Sequence, residues 1–531
     1  MSKKTFLRTI LAAAFLLLMA SGNSWAAAIS WDDGAGDGLW GSAANWSGDV
    51  LPGPNDDVTI GAYTVYLNVD ASIKSLTLSS ATSFLYPYTA SSNTITLTGN
   101  LTFGNAGAAI VYNNGNGKLN LNFAGTAAQT VTLLANAVNA TPVGLNVYNI
   151  TVADNSSVTV SGNFSFNIYG NLTVNGTGTV TYAYNAAKIV KFLGTNPTVT
   201  IGTDATVTLS NVVFGDGILS TIGTWSGSAT IPGSFTNSLN SKFTQTSGTL
   251  TFTNGTGGAA ACIVNSATSN YDMVLYNVDL NGTSDITPAT SFTIAGNLVN
   301  TVGANAASAG TIYFKNTATP HNPKTITVSG GSLTFFNVKI DDASYVQTGS
   351  SISVIGTGGT AFEVIGSGSF KQTAGTVTFT GASAAITTTG NSVCQFYNLT
   401  LGNGADAYTT SSNFTVLNDF TIGNALATFT ASAPSIITFD NSTFAGGDGA
   451  GTITSTANNA ITFNSVVVAE NSSIAFAGAF ITNIKGDVTV GNKATMDWTG
   501  ANTTANFSTA TTKNIYNYGT LTFYDFTVAS T

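Results

Sequence analysis

The sequence predicts an all-β protein, a right-handed parallel β-helix with a tryptophan-rich N-terminal cap. Three observations carry that expectation. A strand-like motif recurs at an even spacing through most of the chain. Inside it, apolar residues alternate by two and slip phase once. The composition favours strands throughout: Val, Thr, Ile, Phe and Tyr dominate, and Glu occurs only at Glu363 and Glu470.

The repeat comes first because it organises the chain, with a period of about 63 residues. Its reference positions are Asn149, Asn211, Asn277, Asn337, Asn398, Ser465 and Asp525. Four positions earlier stand Leu145, Val207, Met273, Leu333, Cys394, Ile461 and Leu521, all apolar or thiol. Positions two before, one after and three after are apolar too, as in Phe396-Tyr397-Asn398-Leu399-Thr400-Leu401. Period-two alternation marks one buried strand face, and the phase slip marks a corner between two strands. Asn, Ser and Asp suit corners because they bond local backbone. A second signal follows a third of a period later, at Gly170-Asn171-Leu172, Gly296-Asn297-Leu298, Asn418-Asp419-Phe420 and Gly486-Asp487-Val488. Runs such as Gly375-Thr376-Val377-Thr378-Phe379 give a third. Each unit therefore reads as three coils of about 21 residues, with the reference residues in one column along a single corner.

In chain order, residues 1–26 read as a secretory signal: Lys3, Lys4 and Arg8, an apolar run from Ile10 to Ala20, and small residues around Ala26. Residues 27–73 read as the cap and 74–531 as the β-helix. The chain stops at Ala529-Ser530-Thr531 directly after a repeat strand, so either a partner covers that end or the product is a fragment. No barrel or cell-wall sorting motif follows the repeats. Without the signal, 12 lysines and no arginine face 24 acidic side chains, a net charge of −12. That balance excludes nucleic acid and anionic membrane surfaces as partners. No later stretch is apolar for long enough to insert in a membrane.

Few residues could carry chemistry. Asp32, Asp33 and Asp37 cluster with glycines near the N-terminus, and calcium takes such oxygen ligands. The alternative there is a glycine turn that folds Trp31, Trp40 and Trp46 over the open first coil. No other cofactor is expected. Asp341-Asp342, the paired acid of the repeats, reads as a solvated turn. His321 stands in a proline-bracketed loop without a second ligand. Cys262 and Cys394 fall at different phases of the repeat, which predicts free thiols, with Cys394 facing the core. Tyr148, Tyr276, Phe336, Tyr397 and Tyr524 precede the corner. They either turn outward for binding or pack between coils. An enzyme is not expected, because Arg is absent and carboxylate pairs are scarce.

The corner motif, the Gly-Asn-Leu turn and the Gly-Thr-Val-Thr-Phe strand resemble repeats of bacterial adhesin-like β-helices, akin to autotransporter passengers and filamentous-haemagglutinin-type proteins. The start Trp31-Asp32-Asp33-Gly34 through Trp40 to Ala44-Asn45-Trp46 is similar to theirs as well. The resemblance implies a secreted bacterial protein, extracellular or at the cell surface. Its expected function is a structural rod presenting a surface for adhesion or matrix assembly. Its partners would be a cell-surface or matrix component, a polysaccharide or further copies. A surface-layer or filament subunit and a β-helix polysaccharide lyase or hydrolase are the alternatives.

Overall fold

The structure is a computed structural model. It describes residues 27–529 apart from 106, 113–116, 134–143, 163–164, 186–187, 254–262, 268–271, 283–290, 307–308, 316–322, 357–358, 383, 403–406, 424–426, 443–450, 456–459, 501–502 and 509–511. Cys262, His321 and the signal segment lie outside the described residues. The chain forms two compact units, Met1–Ser210 and Asn211–Thr531, each a parallel β-solenoid. The helical element described is one 3-10 turn, Ala43–Asn45.

The described coils turn through three faces. In the first unit, Asp57–Ile60 lies on the first face, Thr64–Leu67 on the second and Ala71–Ile73 on the third, and Ser75–Leu78 returns to the first. This coil starts inside the segment expected to be cap. Parallel pairing continues coil by coil, for example Lys118–Phe123 with Asn149–Val152 and then Leu172–Val174. In the second unit Asn277–Asn281 stacks under Leu298–Val302 on the first face, Thr376–Phe379 under Asn398–Leu401 on the second, and Asn337–Ile340 under Gly359–Val364 on the third.

The alternation read from the sequence fixes which side chains point in. Val278, Leu280, Leu399, Leu401, Val466 and Val468 are all buried. Each such side chain contributes roughly 1.5–3 kcal/mol by leaving water. The intervening positions carry threonine and other polar residues outside, as in the row Thr378, Thr400, Thr421, Thr454 on successive strands. β-branched side chains suit both roles, packing well on a pleated surface.

The expected three coils per repeat need correction. Paired residues lie 20 apart at Val278 and Leu298, 24 apart at Lys339 and Glu363, and 29 apart at Thr438 and Val467. In the second unit Asn277 begins a first-face strand, Asn337 a third-face strand, Asn398 a second-face strand, Ser465 a first-face strand and Asp525 a third-face strand. Asn211 there directly precedes the strand Val212–Phe214, and Asn149 of the first unit begins a third-face strand. The single column of Asn149, Asn211, Asn277, Asn337, Asn398, Ser465 and Asp525 is therefore not formed. The motif encodes strand, corner and strand. Each coil has three corners, and local alternation carries nothing about which of them is used.

Candidate functional site

The corners are the most specific polar constructions in the fold. At the reference position the phase slip takes the chain out of the regular ladder, and a side chain replaces the missing backbone acceptor. Asn149 Oδ1 accepts the N–H of Asn171 at 2.7 Å. Asn211 does so from Ser234 at 2.8 Å, Asn277 from Asn297 at 2.8 Å and Asn398 from Asp419 at 3.0 Å. Ser465 Oγ accepts from Asp487 at 3.2 Å. The next residue bonds the opposite way: the N–H groups of Ile150, Val212, Val278, Leu399 and Val466 donate to the carbonyls of Asn171, Ser234, Asn297, Asp419 and Asp487. Each of these five corners is thus a reciprocal two-bond clamp on the coil above. Local bonding was expected, and the partner instead comes from the neighbouring coil.

The clamp climbs one further coil. Asn171, Asn297, Asp419 and Asp487 accept in turn from the N–H groups of Thr198, Thr325, Thr452 and Asn514, at 3.1, 2.9, 2.9 and 2.9 Å. This explains the glycine in three of the second signals; at the Asn398 corner Asn418 stands there instead and its Nδ2 donates to Asn398 Oδ1 at 2.8 Å. A Cβ on Gly170, Gly296 or Gly486 would collide with the side-chain oxygen of Asn149, Asn277 or Ser465 and with the carbonyl before it. At two corners a buried glutamine holds the chain from below. Gln245 Oε1 accepts from Tyr276 N–H at 2.9 Å, and Gln372 Oε1 from Tyr397 N–H at 3.0 Å. Their signal was legible: a glutamine at an inward position of an alternating strand, as in Ser241–Gln245.

Carboxylates serve the same structural end. Asp342 Oδ1 accepts from the backbone and hydroxyl of Ser367 at 2.7 and 2.8 Å, and Asp154 Oδ1 from those of Thr177 at 2.8 and 2.9 Å. These donors hold both carboxyls below the usual range. Ala343 and Asn155 beside them take φ values of 55° and 60°, the tight turn expected of Asp341-Asp342. One charged group carries no sequence signal. On the third face of the second unit, Lys339 bonds Glu363 at 2.8 Å, Lys315 lies 3.5 Å from Asp341, and Tyr313 stands beside Lys339. Burial disfavours the charged Lys339, but the Glu363 carboxylate overrides it and its pKa is raised. These partners are a coil apart in sequence, so no linear motif exposes them.

At the N-terminus the glycine turn does fold the tryptophans together. Trp46 packs edge-on to Trp31 at 4.8 Å and to Trp40 at 4.7 Å, and its Nε1 donates to Trp40 O at 2.8 Å. Ala28–Ser30 pairs with Asp57–Ile60, which seats this plug on the first coil. The three aspartates expected to bind calcium do not converge. Asp32 caps the N–H of Gly34 at 3.2 Å. Asp33 takes φ 57°, and its Oδ1 is buried without a hydrogen bond. Asp37 is filled by Ser42 Oγ, Leu39 N–H and Asn45 Nδ2, in that order the causes that keep its pKa low. Among the described residues no three His, Cys, Asp or Glu side chains gather as a metal would need.

Cys394 is a free thiol facing the core, as its repeat position requires, and burial pushes its pKa up. Of the residues before the corner, Tyr148, Tyr276, Phe336 and Tyr397 are half-buried and Tyr524 is exposed. Tyr148 packs against Tyr112 at 5.6 Å, with Lys118 Nζ 4.2 Å from its ring centre. No described helix is long and apolar enough to cross a membrane. No protein-family model, curated protein or solved structure matches the chain.

Proposed function

We propose that this chain is an exported bacterial structural protein, held outside the cell or at its surface, whose outer faces serve adhesion or matrix assembly. The observation that carries this reading is how its carboxylates are used. Asp37, Asp154, Asp342, Asp419 and Asp487 each accept backbone N–H groups that hold turns or clamp coils. Acid–base chemistry needs carboxylates free to exchange protons with a substrate. Between these sites many outer positions carry hydroxyl side chains, as in the row Thr378, Thr400, Thr421 and Thr454, which favours neutral, hydrogen-bonding partners such as a polysaccharide or further copies.

The test uses the purified chain and cells that display it. The reading expects retention on an insoluble matrix polysaccharide or on cell surfaces, with the polysaccharide left at full length. Electron microscopy of stained cells distinguishes scattered adhesive molecules from a lattice or fibre, the outcome for a surface-layer or filament subunit. Depolymerisation of a polysaccharide by the purified chain would overturn the structural reading in favour of a β-helix lyase or hydrolase.

A further inference from the structure

We infer that the repeat is a self-contained corner module, so that the second unit can lose or gain whole modules while its outer chemistry turns by one face. The stretch from Asn277 to Ser465 is as long as that from Asn337 to Asp525, and each climbs eight strand-to-strand steps on one face. Three modules therefore make eight coils, and one module advances two and two-thirds. Successive modules use the corners in rotation. No flat partner could meet every module from one side.

What a corner needs above itself lies inside its own module. Asn277 clamps Asn297, which clamps Thr325, before the next reference at Asn337. Ser465 clamps Asp487, which clamps Asn514, before Asp525. What it needs from below is a carbonyl for its own N–H, from Gly310 at Asn337, Gly375 at Asn398 and Ser435 at Ser465, and, at Tyr276 and Tyr397, a glutamine from the preceding module; Gly375 remains for Ser465 when Asn398–Asn464 is removed. Removing the whole module Asn398–Asn464 joins Tyr397 to Ser465. Gln372 still holds Tyr397, and Ser465 still meets Gly486 and Asp487 one coil above. The apolar alternation and its phase slip pass through the junction unbroken. Ser465–Val468 then occupies the second face in place of Asn398–Leu401, and all following strands move one face round.

Two deletions test this. The module deletion is expected to unfold cooperatively and to leave Cys394 unreactive towards thiol reagents in a Cys262→Ser background. Removing one residue more, Asn398–Ser465, erases the phase slip and is expected to expose Cys394. The rotation is read by a short bismaleimide between Gln395→Cys and Asn483→Cys. Gln395 pairs with Thr415 in the full chain, so the bridge should form only in the module deletion. Loss of Cys394 protection in both deletions would show that modules depend on their particular neighbours. A folded module deletion lacking the bridge would show that the faces do not rotate. Either result overturns the inference.

Discussion

The tryptophan cap and the repeated corners are made from the same residue types, Asp, Asn, Gly and an aromatic, and use them in opposite ways. Around Asp37 in the cap the polar bonds are local: Asp37 accepts from Leu39, Ser42 and Asn45, and Asn45 Oδ1 accepts from Ala35 N–H at 2.8 Å. They shape a turn, and apolar packing of Trp31, Trp40 and Trp46 seals the end. At the corners the bonds leave the segment altogether, from Asn277 to Asn297 and from Ser465 to Asp487. A cap must terminate pairing, and the side chains around Asp37 close on one another. A corner must transmit pairing, so its polar groups reach the next coil.

The largest effect should come from the apolar half of that contrast. Trp46→Ala should destabilise the cap by about 3–5 kcal/mol, because a fully buried indole is lost from a packed cluster. Hydrogen exchange should then accelerate at Asp57–Ile60 and leave the second unit unchanged, since solenoid stability is a sum of neighbour terms. Next comes Gly296→Ala, which places a methyl group against Asn277 Oδ1 and Tyr276 O. It should cost roughly 2–3 kcal/mol by overpacking, read as faster exchange at Val278 and Leu298. Asn277→Ala in that background should restore part of the loss, because it removes one of the colliding partners. Asn277→Ala alone should cost about 1–2 kcal/mol through the unsatisfied Asn297 N–H, and Asn277→Asp should cost less because the acceptor remains.

Acid separates the cap from the asparagine clamps. Asp37 has its pKa lowered by Ser42, Leu39 and Asn45, so its stabilisation is complete above the unfolded value of about 3.9 and is lost as pH falls through the lower folded value. Tryptophan fluorescence should therefore report loosening of the cap only below about pH 3.9, and Asp37→Asn should weaken that step. The asparagine clamps at Asn149 and Asn277 do not titrate and should show no such step. The smallest effect is a null one. A chelator should leave the fluorescence of the cap unchanged, because Asp32, Asp33 and Asp37 are turned to separate positions.

The fold was legible because burial imposes period two on most described strands, as in Asn398–Leu401, and the slip at Asn398 or Asn277 marks a corner without ambiguity. The course of the coils was not legible. Loops stretch the spacing between stacked residues from 18, at Asp57 and Ser75, to 35, at Ile110 and Leu145, so the most even sequence period is not a whole number of coils. The clamps were half visible: Asn277 and Gly296-Asn297 were both read as signals, but their contact is set by stacking and not by sequence distance. The Lys339–Glu363 pair stayed hidden for the same reason. In the cap, aspartates beside glycines read first as turn formers and second as calcium ligands, and the donors that surround Asp37 are set by the fold of the turn, which spacing alone does not give.

The central claim is that equivalent positions of successive repeats lie on different faces while residues a coil apart are neighbours. Paired cysteines bridged by a short bismaleimide test it directly. Asp279 with Val299, Lys339 with Glu363 and Thr400 with Thr421 are stacked pairs and should all bridge. Asp279 with Lys339 and Lys339 with Thr400, which share one repeat position, should not. Bridging of the second set, or failure of the first, would contradict the rotating-corner solenoid.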